Sequence, residues 1–112
     1  MTGKLLKMIR KYPELSVIIE DLLAKTKERM VILFGSYAKF AAKPGSDIDV
    51  YVEAGGMRAK REIEAAHSKI AVKTGPFDLS SPLIQEIIKN HIILRGVEDF
   101  YEKTKPAGKA RR

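Results

Sequence analysis

The chain has no cysteine. That excludes disulfides, zinc–thiolate centres and thiol nucleophiles, and leaves the redox environment open. It also has no long apolar run: nothing approaches the roughly 20 residues of a membrane-spanning helix. Met1 to Arg10 carries basic residues but no continuous apolar stretch of the kind a signal peptide needs. A cytoplasmic protein with no membrane association is expected. Internal repeats and low-complexity segments are missing before the C-terminal tail. At 112 residues there is room for one domain with a modest core and none for a second.

An excess of basic charge is present, but it is local. The net charge is +7, and five of the 21 bases (Lys103, Lys105, Lys109, Arg111 and Arg112) lie in residues 103–112, which hold no acid. The rest of the chain sets 16 bases against 14 acids. Residues 1–102 are therefore expected to form the domain and 103–112 a solvated, disordered basic tail. A nonspecific nucleic-acid arm is the lesser reading of that tail.

Hydrophobic spacing divides the body into elements. A short helix over residues 4–11 is followed by an amphipathic helix over about 13–27, with Leu15, Ile18, Ile19, Leu22 and Leu23 on one face. Met30 to Phe34 reads as a buried strand, Ser36 as the cap of a short helix through Ala42, and Lys43-Pro44-Gly45-Ser46 as a turn. Ile48 to Glu53 is a second strand closed by Ala54-Gly55-Gly56. The spacing of Ala59, Ile63, Ala66 and Ile70 predicts one helix from Arg58 to Lys73. Phe77-Asp78-Leu79-Ser80 reads as a third strand. Ser81 and Pro82 open a helix carrying Leu83, Ile84, Ile87, Ile88, Ile92 and Leu94, Gly96 stops it, and Val97–Tyr101 reads as a final strand or turn. Strands alternating with helices give an α/β (α+β) class, a small mixed sheet flanked by helices. His67 and His91 read as residues at the edge of the core.

The chemistry is concentrated in one stretch. An apolar strand ends in Gly35-Ser36, and after a polar loop Ser46-Asp47-Ile48-Asp49-Val50 begins the next. Alternation on a strand puts Asp47 and Asp49 on one face, roughly 7 Å apart at Cα, with Ile48 and Val50 pointing into the core. Two carboxylates so close repel unless a cation lies between them. A hard divalent ion held by one or two carboxylates and substrate phosphates answers this. Gly35 lets backbone approach a phosphate, and Ser36 opens a segment whose free N–H groups favour an anion. If the third strand lies beside the second, Asp78 joins the pair. The blander readings are a solvated strand face for the aspartates, a plain turn for Gly35 and a simple cap for Ser36.

Gly35-Ser36-Tyr37-Ala38-Lys39 through Ser46-Asp47-Ile48-Asp49-Val50 resembles the minimal nucleotidyltransferases of the DNA polymerase beta-type superfamily, which commonly accompany a HEPN-domain protein. The resemblance spans nearly the whole chain and implies a nucleotidyltransferase fold. It further implies transfer of a nucleoside monophosphate, AMP from ATP, to a hydroxyl acceptor, with a HEPN toxin as partner and this chain as antitoxin. By position it assigns catalysis and two magnesium ions to Asp47, Asp49 and Asp78, with Asp78 activating the attacking hydroxyl. Nucleotide binding falls to Gly35 and Ser36, joined by Lys39 and Ser46. A non-catalytic nucleotide-binding antitoxin acting by complex formation is the alternative, and self-association stays open. Where such proteins carry Arg-Gly after the motif's alanine, this chain has Lys39-Phe40. Lysine keeps the charge but loses bidentate phosphate geometry.

Overall fold

The computed structural model describes residues 3–53 and 57–105. The elements run α1 (Gly3–Lys11), α2 (Leu15–Lys25), β1 (Val31–Phe34), β2 (Ile48–Glu53), α3 (Met57–Ala66), β3 (Ile70–Gly75), α4 (Pro82–Lys89), β4 (Ile92–Arg95) and α5 (Val97–Thr104). The four strands form one mixed sheet in the order β3-β2-β1-β4. β1 is antiparallel to both β2 and β4, whereas β2 and β3 are parallel. This is the small α+β fold with helices flanking a mixed sheet that the element pattern predicts.

The sheet is covered on both faces. Leu5 and Met8 of α1, Leu15, Ile19 and Leu22 of α2, and Ala59 and Ile63 of α3 pack with Leu33, Val50, Val52, Ile70 and Val72 on the first face. On the second, Ile84 and Ile87 of α4 and Phe100 of α5 pack with Ile32, Phe34, Tyr51 and Ile93. A central strand buried on both sides needs no polar alternation, and all four residues of β1 are buried. β2 alternates: Ile48, Val50 and Val52 face the first core, Asp49 and Tyr51 the second face.

Four expected elements are corrected here. The stretch from Arg58 to Lys73 is not one helix, because α3 ends at Ala66 and β3 starts at Ile70. Ile63, Ala66 and Ile70 fit helical spacing, but Ile70 and Val72 also alternate, and the sheet supplies the partner strand that decides between them. Phe77–Ser80 is not a strand but a turn leading into α4, since β3 is already complete at Gly75. Ile92 and Leu94 do not continue α4: Asn90 leaves helical geometry at φ −143° and ψ 110°, and β4 follows. Val97–Thr104 is helical, with Glu98 and Asp99 in its first turn, where acids complement the helix dipole. The helix includes Lys103; residues 106–112, with most of the basic tail, and the closing Ala54-Gly55-Gly56 lie outside the described residues.

Two sets of polar contacts join the layers. Arg95, at the end of β4, donates to the carbonyls of Leu23 (2.8 Å), Thr26 (3.0 Å) and Glu28 (3.2 Å). It thereby satisfies carbonyls that the end of α2 leaves open. On the outer side of β3, Lys60 Nζ donates to the Val72 carbonyl (2.9 Å) and Val72 N–H donates to Glu64 (2.8 Å). His67 lies 2.6 Å from the Asp21 carboxylate and ties the end of α3 to α2. His91 Nδ1 sits 3.1 Å from the Ile87 carbonyl, its ring 4.4 Å from that of Phe100. Both histidines serve packing.

Arg95→Met keeps most of the stem's packing and removes the donors. It is expected to lower stability by about 2 kcal/mol, the scale of a lost charged hydrogen bond. Denaturant unfolding read by circular dichroism checks this.

Candidate nucleotide and metal site

The pairing of β1 with β2 builds the site. Phe34, the last residue of β1, lies opposite Asp49. Gly35 and Ser36 therefore emerge beside the start of β2, where Asp47 precedes Ile48. Gly35 has φ +75°, and a Cβ there would run into the Asp49 carboxylate. Glycine is required twice over: for the left-handed backbone and for the carboxylate lying against its Cα.

The loop that follows is a tight coil and not the predicted helix to Ala42. Lys39 N–H donates to the Gly35 carbonyl (3.1 Å) and Ala41 N–H to the Ser36 carbonyl (2.9 Å), closing a single turn. Phe40 then takes φ +60°, which ends helical winding. Pro44 further disfavours helix at Lys43. Phe40 thus stands, strained, in the conformation glycine adopts freely.

The first helix braces this coil. Lys11 Nζ donates to the Phe40 carbonyl (3.0 Å). The Tyr12 hydroxyl accepts from Ala42 N–H (3.1 Å) and lies 3.3 Å from the Ala42 carbonyl. Tyr12 and the buried Tyr37 meet edge to face at 4.8 Å. Burial, with Glu14 and Tyr12 nearby, raises the Tyr37 pKa. Lys11 and Tyr12 carry no motif and were invisible to sequence reasoning.

The expected site residues divide into those gathered here and one that is not. Gly35, Ser36, Asp47 and Asp49 share the β1–β2 end of the sheet. Lys39 belongs to the same coil and is exposed. Ser46 closes the turn before β2, its Oγ accepting from Lys43 N–H (2.9 Å). Asp78 stands elsewhere. Because β3 runs parallel to β2, the chain leaves the level of Asp49 at Ala71 and reaches the turn beyond Gly75 before Asp78. There its Oδ1 accepts from Ser80 N–H (3.0 Å) and Ser80 Oγ (2.8 Å), bonds that lower its pKa.

Asp47 is exposed and Asp49 half-buried. Burial raises the Asp49 pKa, and the charges of Asp47 and Glu86 add to the rise, while Lys73 opposes it. Glu86 and Lys73 are thus the further charges near the pair. Among the described residues, no group of three or more Asp, Glu, His or Cys side chains is placed to hold one metal ion. Residues 1–2, 54–56 and 106–112 contain none of these types. The oxygen donors of Asp47 and Asp49 fit one hard divalent cation whose remaining ligands are phosphate and water. A cavity of about 440 Å³ lies next to the same loop, lined in part by Leu15, Tyr37, Ile48 and Ile70. Those side chains belong to the first core, so it opens behind the sheet and away from Asp49.

Residues 15–104 match the family model of the nucleotidyltransferase domain, and the chain belongs to that family. Among the curated proteins compared by sequence, none matches significantly. Among solved structures, it superposes on a chain in the crystal structure of a toxin–antitoxin with AMP-PNP. The TM-score is 0.54 at 22% identity, covering 78% of this chain and 77% of that one. It also superposes on a chain in the complex of tri-AMPylated Shewanella oneidensis HEPN toxin with MNT antitoxin. There the TM-score is 0.53 at 18% identity, covering 78% and 76%. At these identities the likeness is one of fold. No helix of the described residues is long and apolar enough to cross a membrane.

Two outcomes follow. Gly35→Ala should destabilise the chain by roughly 1–2 kcal/mol from the left-handed backbone alone. Part of the measured cost should vanish in an Asp49→Ala background, where the collision is gone; a double-mutant cycle by denaturant unfolding reads that coupling. Asp49 has a folded pKa above its ordinary 3.8, so its ionisation opposes folding of the metal-free protein, fully above the raised value and not at all below 3.8. In a chelator, Asp49→Asn should therefore melt higher than the parent at pH 7, and the gap should close as the pH falls towards 4.

Proposed function

We propose that this chain is a minimal nucleotidyltransferase that binds a nucleoside triphosphate, ATP in the first instance, and transfers its monophosphate to a hydroxyl group of a protein partner. The observation that carries this reading is the junction of Gly35-Ser36 with Asp47 and Asp49 at one end of β1 and β2, in a chain of the nucleotidyltransferase family. Asp47 and Asp49 would hold magnesium, which when bound offsets phosphate charge and makes the α-phosphorus a better electrophile. Gly35 admits the triphosphate to the backbone, and Ser36, Lys39 and Ser46 offer donors along the loop. The acceptor oxygen attacks the α-phosphorus, the bond to the bridging oxygen of the β-phosphate breaks, and pyrophosphate departs with that electron pair. The acceptor proton passes to solvent. No step is assigned to Asp78, which Ser80 holds in the turn beyond β3.

The acceptor is proposed from the fold relatives. Both belong to toxin–antitoxin structures, one with AMP-PNP and one with a tri-AMPylated HEPN toxin. On that likeness the partner is a HEPN-type toxin and this chain its antitoxin. A second reading draws on the missing third acid: a chain that holds nucleotide and neutralises its partner by complex formation without turnover.

Asp47→Asn separates the two. With partner, ATP and magnesium, the parent should add AMP mass to the partner, and the variant should transfer at least about a hundredfold more slowly while the complex survives. Mass spectrometry of the partner reads the transfer, and size-exclusion chromatography the complex. Equal neutralisation by parent and variant, with no mass gained, would establish the second reading.

A further inference from the structure

The parallel pairing of β2 with β3 puts an unexpected residue diagonally beside Asp49. Asp49 pairs with Ala71 and Tyr51 with Lys73. Paired residues of parallel strands share a face, so Ala71 and Lys73 project to the side that carries Asp49 and Tyr51. Val72, between them, is buried in the core of the opposite face, as that parity requires. Asp49 and Lys73 are diagonal neighbours across adjacent strands, roughly 7–8 Å apart and within reach of a long side chain. The carboxylate nevertheless sits there without a direct partner: among the described residues Lys73 makes no ion pair within 4.0 Å. Glu64, the other acid its charge influences, is already engaged by Lys60 and by Val72 N–H. Lys73 is exposed, and its ammonium is available to a ligand placed over Asp49.

Charge then limits what the site can take. Two adjacent divalent ions bring four positive charges, and sites of that kind surround them with several carboxylates. Here two carboxylates lie together; the charge of Glu86 reaches Asp49 but forms no three-carboxylate group with the pair among the described residues, and the position on β3 diagonal to Asp49 is occupied by a cation. Lysine acts as a point charge towards phosphate, with three donors on a flexible stem. A second ion beside it would meet repulsion from Lys73, with no third carboxylate grouped with Asp47 and Asp49 among the described residues to offset it.

We propose that Lys73 supplies the second positive charge of this site from β3, so that a nucleoside triphosphate is held with a single divalent cation and the lysine ammonium on its phosphates. The inference rests on the nucleotide-binding reading above. It makes Lys73 a phosphate-binding and charge-balancing residue whose replacement by an acid converts the site towards two ions.

Manganese(II) and AMP-PNP serve as probes, with protein in excess over nucleotide, and bound ions are counted by electron paramagnetic resonance. The parent should show one uncoupled manganese(II) per bound nucleotide. Lys73→Asp should bind a second ion, seen as a spin-coupled pair, because ions roughly 4 Å apart interact strongly. Lys73→Gln, a milder change on an exposed strand position, should keep one ion and lose about tenfold in AMP-PNP affinity by calorimetry. Two coupled ions in the parent would overturn the inference and leave nucleotide binding intact. An unchanged affinity in Lys73→Gln would overturn it as well, even if Lys73→Asp fails to fold. No manganese(II) bound by the parent with AMP-PNP would bring down the nucleotide-binding reading itself.

Discussion

The arrangement depends on one close approach, the Asp49 carboxylate lying against the Cα of Gly35. Antiparallel pairing of β1 and β2 brings those two residues together, and only a residue without a side chain can leave β1 there. From that point the loop must turn away through a single coil, and α1 must hold the coil down through Lys11 and Tyr12. The half-buried carboxylate carries an electrostatic cost, since burial and Asp47 both disfavour its charge. On the function proposed above, a bound cation would offset that cost. Under that reading, stability of the metal-free protein and readiness to take a cation would oppose each other.

The two faces of the sheet divide the work. The first, under α1, α2 and α3, is almost wholly apolar and closes around β1. The second is split: Tyr51, Phe77 and Phe100 form an aromatic contact under α4 and α5, with ring centroids about 6 Å apart, while Asp49 lies at the open end of the same face. The Tyr51 hydroxyl donates to the Gly75 carbonyl at 2.6 Å. Burial carries its pKa up to about 12, so the phenol stays neutral and acts as a strut between β2 and β3. Packing and chemistry thus share one strand, sorted by position along it.

Much of this was legible in the residues. The apolar run of β1, the alternation of β2 and the Gly-Ser to Asp-x-Asp spacing each carry a direct physical signal, and the fold class followed from them. The rest failed where one pattern satisfies two periods. Ile63, Ala66 and Ile70 suit a helix, and Ile70 with Val72 suits a strand; no glycine or proline marks the break at His67-Ser68-Lys69. Ile92 likewise extends the helical stripe of Ile84, Ile87 and Ile88 until the sheet claims it. Misplacing β3 by a few residues had a chemical consequence, because it offered Asp78 as a neighbour of the aspartate pair when the register puts Ala71 opposite Asp49 and Lys73 diagonal to it. Lys11 and Tyr12 were missed for another reason: they act through backbone atoms some 30 residues away, and sequence spacing holds no trace of such contacts.

The contacts of Lys60 and Glu64 with Val72 have a bearing on assembly. An exposed sheet edge is a template for another strand, and here two side chains of α3 stand where that strand's carbonyl and amide would be. The helix plays the part of a fifth strand at the centre of β3. A neighbouring polypeptide cannot extend the sheet on this side without displacing both. Recognition at this flank must therefore run through side chains, which discriminate between partners, and not through backbone pairing, which accepts almost any extended chain.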